Sequence, residues 1–122
     1  MTSSTISVNF NDTEQKTVFT ATEKCILKLT LIAEQVESGR VATFKLNSTN
    51  IGTYNSYYRS FQNINRSLAN VLSLEYSESN SSNAPCYPNT LILYLEEGDT
   101  VYATRASNNA FTLSLYSAVF TF

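Results

Sequence analysis

The sequence predicts an all-β protein built as an antiparallel sandwich or barrel, and three observations support this prediction. Most segments alternate apolar and polar residues with a period of two, as strands with one buried face do. Clusters of Asn, Asp, Ser and Gly separate these segments at short intervals. Only residues 22–39 have a composition that could also form a helix, and their alternating, β-branched character argues against one.

Seven segments carry the alternation in chain order: 5–10, 25–33, 41–46, 68–76, 90–95, 100–105 and 110–122. In residues 25–33, the leucines at 27, 29 and 31 share one face, and Ile26, Lys28 and Thr30 share the other. Turn signals lie between the segments, at 11–12, 38–39, 47–50, 77–88, 98–99 and 107–109. The chain contains just three Gly and two Pro. Most turn conformations must therefore be supplied by Asn, Asp and Ser.

The composition bounds the functions open to the chain. A length of 122 residues fits one domain over residues 1–122, large enough to bury a core. Only 15% of residues are charged, so Ser, Thr, Asn and Tyr must make up much of the surface. The net charge is −2 and no Lys or Arg cluster is present, so we expect no nucleic-acid partner. The sequence also lacks the long apolar stretch of a membrane helix and the pattern of a signal peptide, so we expect neither membrane insertion nor signal-directed export.

The sequence contains few residues of the types that catalysis uses. We expect that the chain is not an enzyme and that it has neither a cofactor nor a metal site. The absence of His excludes Ser-His-Asp and Cys-His arrangements. Glu96, Glu97 and Asp99 lie close together, but on a hairpin turn, where acids usually serve as solvated turn formers. The Asp-x-Asp spacing of a calcium loop is missing there, which leaves calcium a lesser possibility. Cys25 and Cys86 could form one bridge, although we favour free, buried thiols.

A candidate binding surface lies between Tyr54 and Arg66, where tyrosines, arginines and asparagines concentrate. Such mixtures of rigid amphipathic rings and adaptable polar groups are favoured at binding sites. The candidate binding residues are Tyr54, Asn55, Tyr57, Tyr58 and Arg59. Tyr57 and Phe61 could instead belong to the core. A weaker candidate is the loop of residues 77–89.

The final segment, residues 110–122, is a candidate subunit interface. Its apolar residues first occupy one parity, at Phe111, Leu113 and Leu115, and then both parities around Val119 and Phe120. A strand that is apolar on both parities is buried on two faces. We therefore expect an oligomer interface formed by Phe111, Leu113, Leu115, Val119, Phe120 and Phe122.

Four stretches together resemble the C1q and tumour-necrosis-factor-like jelly-roll family, in the right order and over nearly the whole chain: VFTATEKCILKL (18–29), VATFKLNSTNI (41–51), LILYLEEGDTVYA (91–103) and YSAVFTF (116–122). The third matches the family's Leu-x-x-Gly-Asp-x-Val segment at Leu95, Gly98, Asp99 and Val101. The sequence departs from the pattern at Cys25 and Ala118, where Gly is expected, and at Leu27, where Tyr is expected. Another β-sandwich is the alternative fold.

The resemblance implies a jelly-roll sandwich and a homotrimer in which one sheet packs around a threefold axis. With the neutral polar surface and no signal peptide, it suggests a non-enzymatic virion protein of a bacteriophage, made in the host cytoplasm and placed on the virion surface. Such a trimeric knob of a tail fibre or spike, or a capsid decoration, would contact other virion proteins and bind a host-surface glycan or protein receptor. The alternative is a carbohydrate-binding, lectin-like module, in which exposed Tyr rings stack on sugars.

Overall fold

The computed structural model describes residues 1–33, 39–72, 77–79, 85–86 and 89–122. Within these ranges the chain is all-β, with two antiparallel sheets and no helix. The strands are β1 (Thr2–Phe10), β2 (Lys16–Thr20), β3 (Cys25–Ala33), β4 (Val41–Leu46), β5 (Thr49–Asn55), β6 (Ser60–Gln62), β7 (Ser77–Ser79), β8 (Pro85–Cys86), β9 (Thr90–Leu95), β10 (Thr100–Arg105) and β11 (Phe111–Thr121).

The first sheet has the strand order β1-β11-β3-β9, and the second has the order β2-β10-β4-β5-β6-β8-β7. The terminal strand β11 is central, because it pairs with β1 from Thr2↔Val119 to Phe10↔Phe111 and with β3 along its other edge. Strand β3 in turn pairs with β9, from Cys25↔Leu95 to Thr30↔Thr90. The chain end is therefore held by ladders on both sides.

The core lies between the two sheets and follows directly from the alternation. Strands β4 and β9 alternate half-buried and buried residues along their whole length. On β3, Leu27, Leu29 and Leu31 are buried in the core while Lys28 is exposed, as the sequence predicts. Apolar burial of this kind is the main stabilising term of a sandwich.

Four of the predicted strands have the predicted bounds, namely 25–33, 41–46, 90–95 and 100–105. The predicted segments 5–10 and 110–122 correspond to β1 and β11, with β1 beginning earlier, at Thr2. The predicted strand 68–76 is wrong over residues 68–72, which form turns and a single bridge, Val71↔Leu93. Residues 73–76 lie outside the described residues.

The strands β2, β5, β6, β7 and β8 were not predicted, and β7 and β8 lie within residues 77–88, where the sequence predicts a turn. For β5, residues 47–50 carry a turn composition, but only Asn47 and Ser48 form the turn, and β5 begins at Thr49. Asn47 adopts a φ of 53°, a left-handed value that Asn tolerates better than most residues, so two residues suffice to reverse the chain.

The sandwich has two ends, which we name by the glycine at each. At the Gly98 end, Ala21 N donates to Asp99 O and Asn47 N donates to Thr100 O, which joins three turns. At the Gly39 end, Asn109 Nδ2 donates to Gly39 O. Both Thr2 and Phe122 lie at the Gly98 end, because Thr2 pairs with Val119 and the Phe122 ring contacts Tyr94.

Candidate functional site

The acidic turn at the Gly98 end stabilises the fold through hydrogen bonds to Asp99. Asp99 accepts hydrogen bonds from Glu96 N (2.9 Å) and from Asn47 Nδ2 (3.1 Å), so its carboxylate links two hairpin turns. Gly98 has a φ of 88°, which L-residues with a side chain rarely adopt. Glu97 is exposed. The arrangement explains the Gly-Asp pair by turn geometry, without a catalytic role.

Cys25 is a free thiol at the start of β3, and it is buried. Burial raises the pKa of the Cys25 thiol, and the nearby carboxylates of Glu23 and Asp99 raise it further. A thiol of this kind stays protonated at neutral pH and is a poor nucleophile. For Cys25 the expectation of a free, buried thiol is confirmed, whereas the side chain of Cys86 lies outside the described residues.

The residues expected at a subunit interface divide between the two faces of β11. Phe111, Leu113 and Leu115 belong to the core of the single chain, and the Phe111 ring stacks on Phe10 with centroids 4.8 Å apart. Val119 also packs against that core. These four point towards the second sheet and leave little surface for another subunit, so this part of the expected interface is corrected.

Phe120 and Phe122 lie on the opposite face of β11, which is exposed. They are 42% and 75% exposed, and Tyr116 on the same parity is 38% exposed. Ala118 shares this parity and is buried without belonging to the core between the sheets, so its neighbours on this face cover it. Both Ser117 and Ala118 are buried, whereas Phe120 is exposed in the single chain, so burial of this part of β11 on two faces by another subunit stays a prediction.

We call the solvent-facing side of the first sheet the outer face. The register places Ala118 beside Lys28, and Phe120 beside Ile26, with Ile26 beside Tyr94. Its apolar members are Ile26, Ile32, Ile92, Tyr94, Tyr116, Ala118, Phe120 and Phe122. The strand β1 adds Ser3, Thr5 and Ser7, so within the described strands Lys28 is the one charged side chain on this face.

One corner of the outer face is ordered by aromatic contacts. The Phe122 and Tyr94 rings lie 6.0 Å apart, and Lys24 Nζ lies 5.5 Å from the Phe122 ring and 5.8 Å from the Tyr94 ring. The Tyr94 hydroxyl donates to Glu96 Oε1 at 2.9 Å. The Phe122 ring is thus positioned at the corner although most of its surface remains accessible.

The residues of the candidate binding surface lie on and around the turn between β5 and β6. Tyr54 is fully buried, and its ring meets Phe61 edge-on with centroids 5.5 Å apart. It therefore supports the turn from below, a correction to the expectation that it lies on the surface. Phe61 is also core, whereas Tyr57 is 52% exposed.

The exposed part of this turn borders a hollow. Asn55, Tyr57, Tyr58 and Gly39 line it, and its volume is about 380 Å³. The Tyr57 and Tyr58 rings meet edge-on, with centroids 4.9 Å apart and planes at 81°. Arg59 is exposed next to them and adopts a φ of 53°. Three of the five expected binding residues are thus brought together at one hollow, which we call the tyrosine hollow.

The weaker binding candidate, residues 77–89, is described only in part. Strand β8 pairs with β6 at Gln62↔Cys86 and with β7, which extends the second sheet. Residues 80–84 and 87–88 lie outside the described residues. The described side chain of this loop is that of Asn89, whose Nδ2 donates to Leu31 O at 3.3 Å and so ties the loop to β3.

A second hollow, of about 250 Å³, opens between the sheets at the Gly98 end. Its lining includes Phe19, Thr22, Cys25 and Val119. Sequence reasoning did not predict it, and no local pattern marks it, because its walls come from strands distant in the chain. The lining also includes the Glu23 carboxylate, and its Cys25 thiol is the buried and protonated group described above.

The described residues contain neither a metal-binding cluster nor a membrane-spanning helix. Among residues 1–33, 39–72, 77–79, 85–86 and 89–122, no group of three or more Cys, Asp or Glu side chains could hold a metal ion. The same ranges contain no helix of the length and apolarity needed to cross a membrane.

Only part of the outer face was found from the sequence, because Phe120 and Phe122 were placed at an interface but not Ile26 and Tyr94, which the register brings beside them. The signal of this face was present in the even-numbered positions of β11 and in Ile26 and Tyr94, which a one-sided sheet would make polar. In comparisons with known proteins, no family model, no curated protein and no solved structure matches the chain. The outer face and the tyrosine hollow are therefore the two features from which we infer a function.

Proposed function

We propose that the protein is a non-enzymatic, self-associating β-sandwich module, and that the outer face is the surface through which copies pack as a homotrimer. The single observation that carries this proposal is the apolar character of that face. The exposed fractions of Tyr116, Phe120 and Phe122 amount to about 300 Å² of accessible ring surface, taking about 200 Å² for each whole ring. This area lies at the lower end of the largest apolar patch of a typical monomer, about 300–600 Å², and such a patch is often functional.

The low charge of the outer face favours an apolar partner surface, and another copy of the chain supplies one. Interface cores are depleted of charge and enriched in aromatic residues. The outer face has three exposed or half-buried rings near Ile26, with Lys28 as its charge among the described strands. A standard interface takes about 800 Å² from each partner, which the surrounding Ser and Thr of β1 and β3 would help to supply.

The strand pairing supports a jelly roll as the finer fold. The eight longer strands pair as a nested set: β1 with β11, β2 with β10, β3 with β9, and β4 with β5. A hairpin that is folded over on itself produces this nesting, which is the arrangement of a double Greek key. It agrees with the resemblance of the Gly98-Asp99 segment to the C1q and tumour-necrosis-factor-like family, and that family in turn implies the trimer.

For the biological setting we propose a bacteriophage particle, with the module on the virion surface as a knob or decoration that takes part in host attachment or in assembly. The neutral polar composition and the family resemblance support this setting. A test is proteomic: particles purified from an infection in which the gene is expressed should contain the chain in a fixed ratio to the major structural proteins. Absence from intact particles would remove this setting and leave self-association to be judged separately.

Self-association is tested by solution mass with a matched pair of variants. Tyr116→Ser removes a ring from the outer face of the first sheet, on the central strand β11. Tyr102→Ser removes a half-buried ring from the solvent side of the second sheet, on β10. The parent protein and Tyr102→Ser should sediment at three times the 13.6 kDa of one chain, and Tyr116→Ser at one chain mass. A parent protein that is monomeric at micromolar concentration would disprove the trimer.

A further inference from the structure

The tyrosine hollow lies at the Gly39 end, away from the aromatic corner of the outer face. Self-association through the outer face leaves the hollow without a role. Its exposed ring therefore needs a separate explanation, because large exposed aromatics with polar neighbours are enriched at recognition sites.

The turn that forms the hollow is built rigidly from below. Asn55 Oδ1 accepts a hydrogen bond from Tyr57 N at 3.0 Å, which fixes the start of the turn. Ser56 N donates to Arg40 O at 3.0 Å and ties the turn to the segment beside Gly39. The buried Tyr54 ring packs underneath, against Phe61. A ligand would therefore meet a surface that is already ordered, which lowers the entropy cost of binding.

Among the described lining residues, Gly39 contributes backbone alone to the hollow. Gly39 has a φ of 77°, and a Cβ added there would lie 2.8 Å from Asn109 Nδ2. The glycine therefore allows Asn109 to donate to Gly39 O while the hollow stays open on its other side. The other described lining residues are Asn55, Tyr57 and Tyr58, which contribute an amide and two tyrosine rings.

We propose that the tyrosine hollow binds a pyranose ring of a host-surface glycan, an inference that rests on the proposed attachment role and names its ligand. A pyranose has an apolar face of C–H groups and a polar rim of hydroxyls. The C–H groups suit the negative face of the Tyr57 ring, and the rim suits the Asn55 amide and the Tyr57 hydroxyl. The volume of about 380 Å³ lies at the lower end of the range for small-molecule sites.

A sugar explains the arrangement better than a protein ligand does. Protein recognition commonly uses a deep apolar anchor pocket or an unpaired strand edge. Among the described residues that line the hollow neither is present, and the two tyrosine rings meet edge-on at 81° beside a polar Asn55. One exposed ring with an amide and a hydroxyl around it matches a flat, hydroxyl-rimmed ligand.

The test begins with the parent protein on a printed array of host-surface oligosaccharides, followed by calorimetric titration with the strongest binder. Tyr57→Ala should weaken that binding by about tenfold or more, since aromatic contacts contribute up to about 1.5 kcal/mol beyond the buried area. Tyr57→Phe keeps the ring and should stay within about threefold of the parent. Tyr102→Ala, on the solvent side of the second sheet, is the control and should bind as the parent does.

Two results would overturn the inference: silence of the array towards every glycan, or a Tyr57→Ala variant that binds as tightly as the parent. Sedimentation of the same samples separates this failure from that of the proposed function. A trimer that binds no sugar removes the glycan site alone, and a monomer that binds sugar through Tyr57 removes the trimer alone. Thermal unfolding of each variant shows whether a loss of binding reflects a loss of folding.

Discussion

Replacing Phe122, the exposed ring at the corner of the outer face, tests directly whether another subunit covers that face. Phe122 is 75% exposed, so of about 200 Å² of ring surface some 150 Å² is available to another subunit. At about 25 cal/mol per Å², full coverage would contribute about 4 kcal/mol for each copy. Phe122→Ser should therefore raise the dissociation constant of a subunit by up to about a thousandfold.

The same substitution should leave the isolated chain nearly intact. Within the chain, the Phe122 ring contacts Tyr94 and lies 5.5 Å from Lys24 Nζ. An exposed cation–π contact contributes about 0.5–1 kcal/mol, so the unfolding free energy of the monomer should fall by about 1 kcal/mol. The large effect is expected on assembly and the small one on folding.

Sedimentation velocity over a range of concentrations is the assay, with urea unfolding to follow the stability of the chain. Tyr57→Ser serves as control, because it removes a ring that is 52% exposed at the other end of the sandwich. The control should keep the parent mass, and Phe122→Ser should dissociate at concentrations where the parent does not. An unchanged mass for Phe122→Ser at every concentration would refute the coverage of this ring by another subunit.

The remaining predictions concern stability and assembly. Asp99→Ala should lower the unfolding free energy in urea by about 1–3 kcal/mol, because it removes the acceptor of two hydrogen bonds, whereas the exposed Glu97→Ala should change it by less than about 0.5 kcal/mol. Gly39→Ala should destabilise the chain by about 1–2 kcal/mol, from the φ of 77° and the contact with Asn109, and a thermal melt unchanged by it would contradict that strain. The raised pKa of Cys25 means that the unfolded chain loses the thiol proton first, so the unfolding free energy should fall as the pH rises above 9.0, and Cys25→Ala should flatten this decline. Deleting residues 119–122 removes ladder pairs to both β1 and β3 and should dissociate or unfold the protein; an equally stable trimer would contradict the central position of β11.

The strands that could be predicted with their bounds are those in which one parity is consistently apolar. Thus β9 and β10 begin and end where the alternation does, because each buries one face and solvates the other. For residues 68–72 the pattern misled, since the backbone turns there and pairs with β9 only at Val71↔Leu93. A period-two pattern indicates which side chains are buried. A turn that lies against a sheet edge can bury the same side chains that a strand would bury.

The predicted subunit interface wrongly included residues on the core-facing side of β11, for a related reason. Alternation shows that a strand has a buried face, but a core within one chain and a contact between subunits bury apolar residues alike. Phe111 faces the core because it stacks on Phe10, a residue a hundred positions away, and nothing local to β11 encodes that contact. The same limit applied to Tyr54, whose burial depends on Phe61 across the β5–β6 turn.

The two ends of the sandwich have a consequence for how strongly a host surface could be held. If copies pack through the outer face around an axis that runs along the strands, rotation preserves the direction of every strand, so each tyrosine hollow would lie at the same end of the assembly. Phe122 and Thr2 would all lie at the opposite end. Three sites that are individually weak would then engage one glycan-coated surface together, and avidity would exceed the affinity of a single hollow by orders of magnitude without any additional contact.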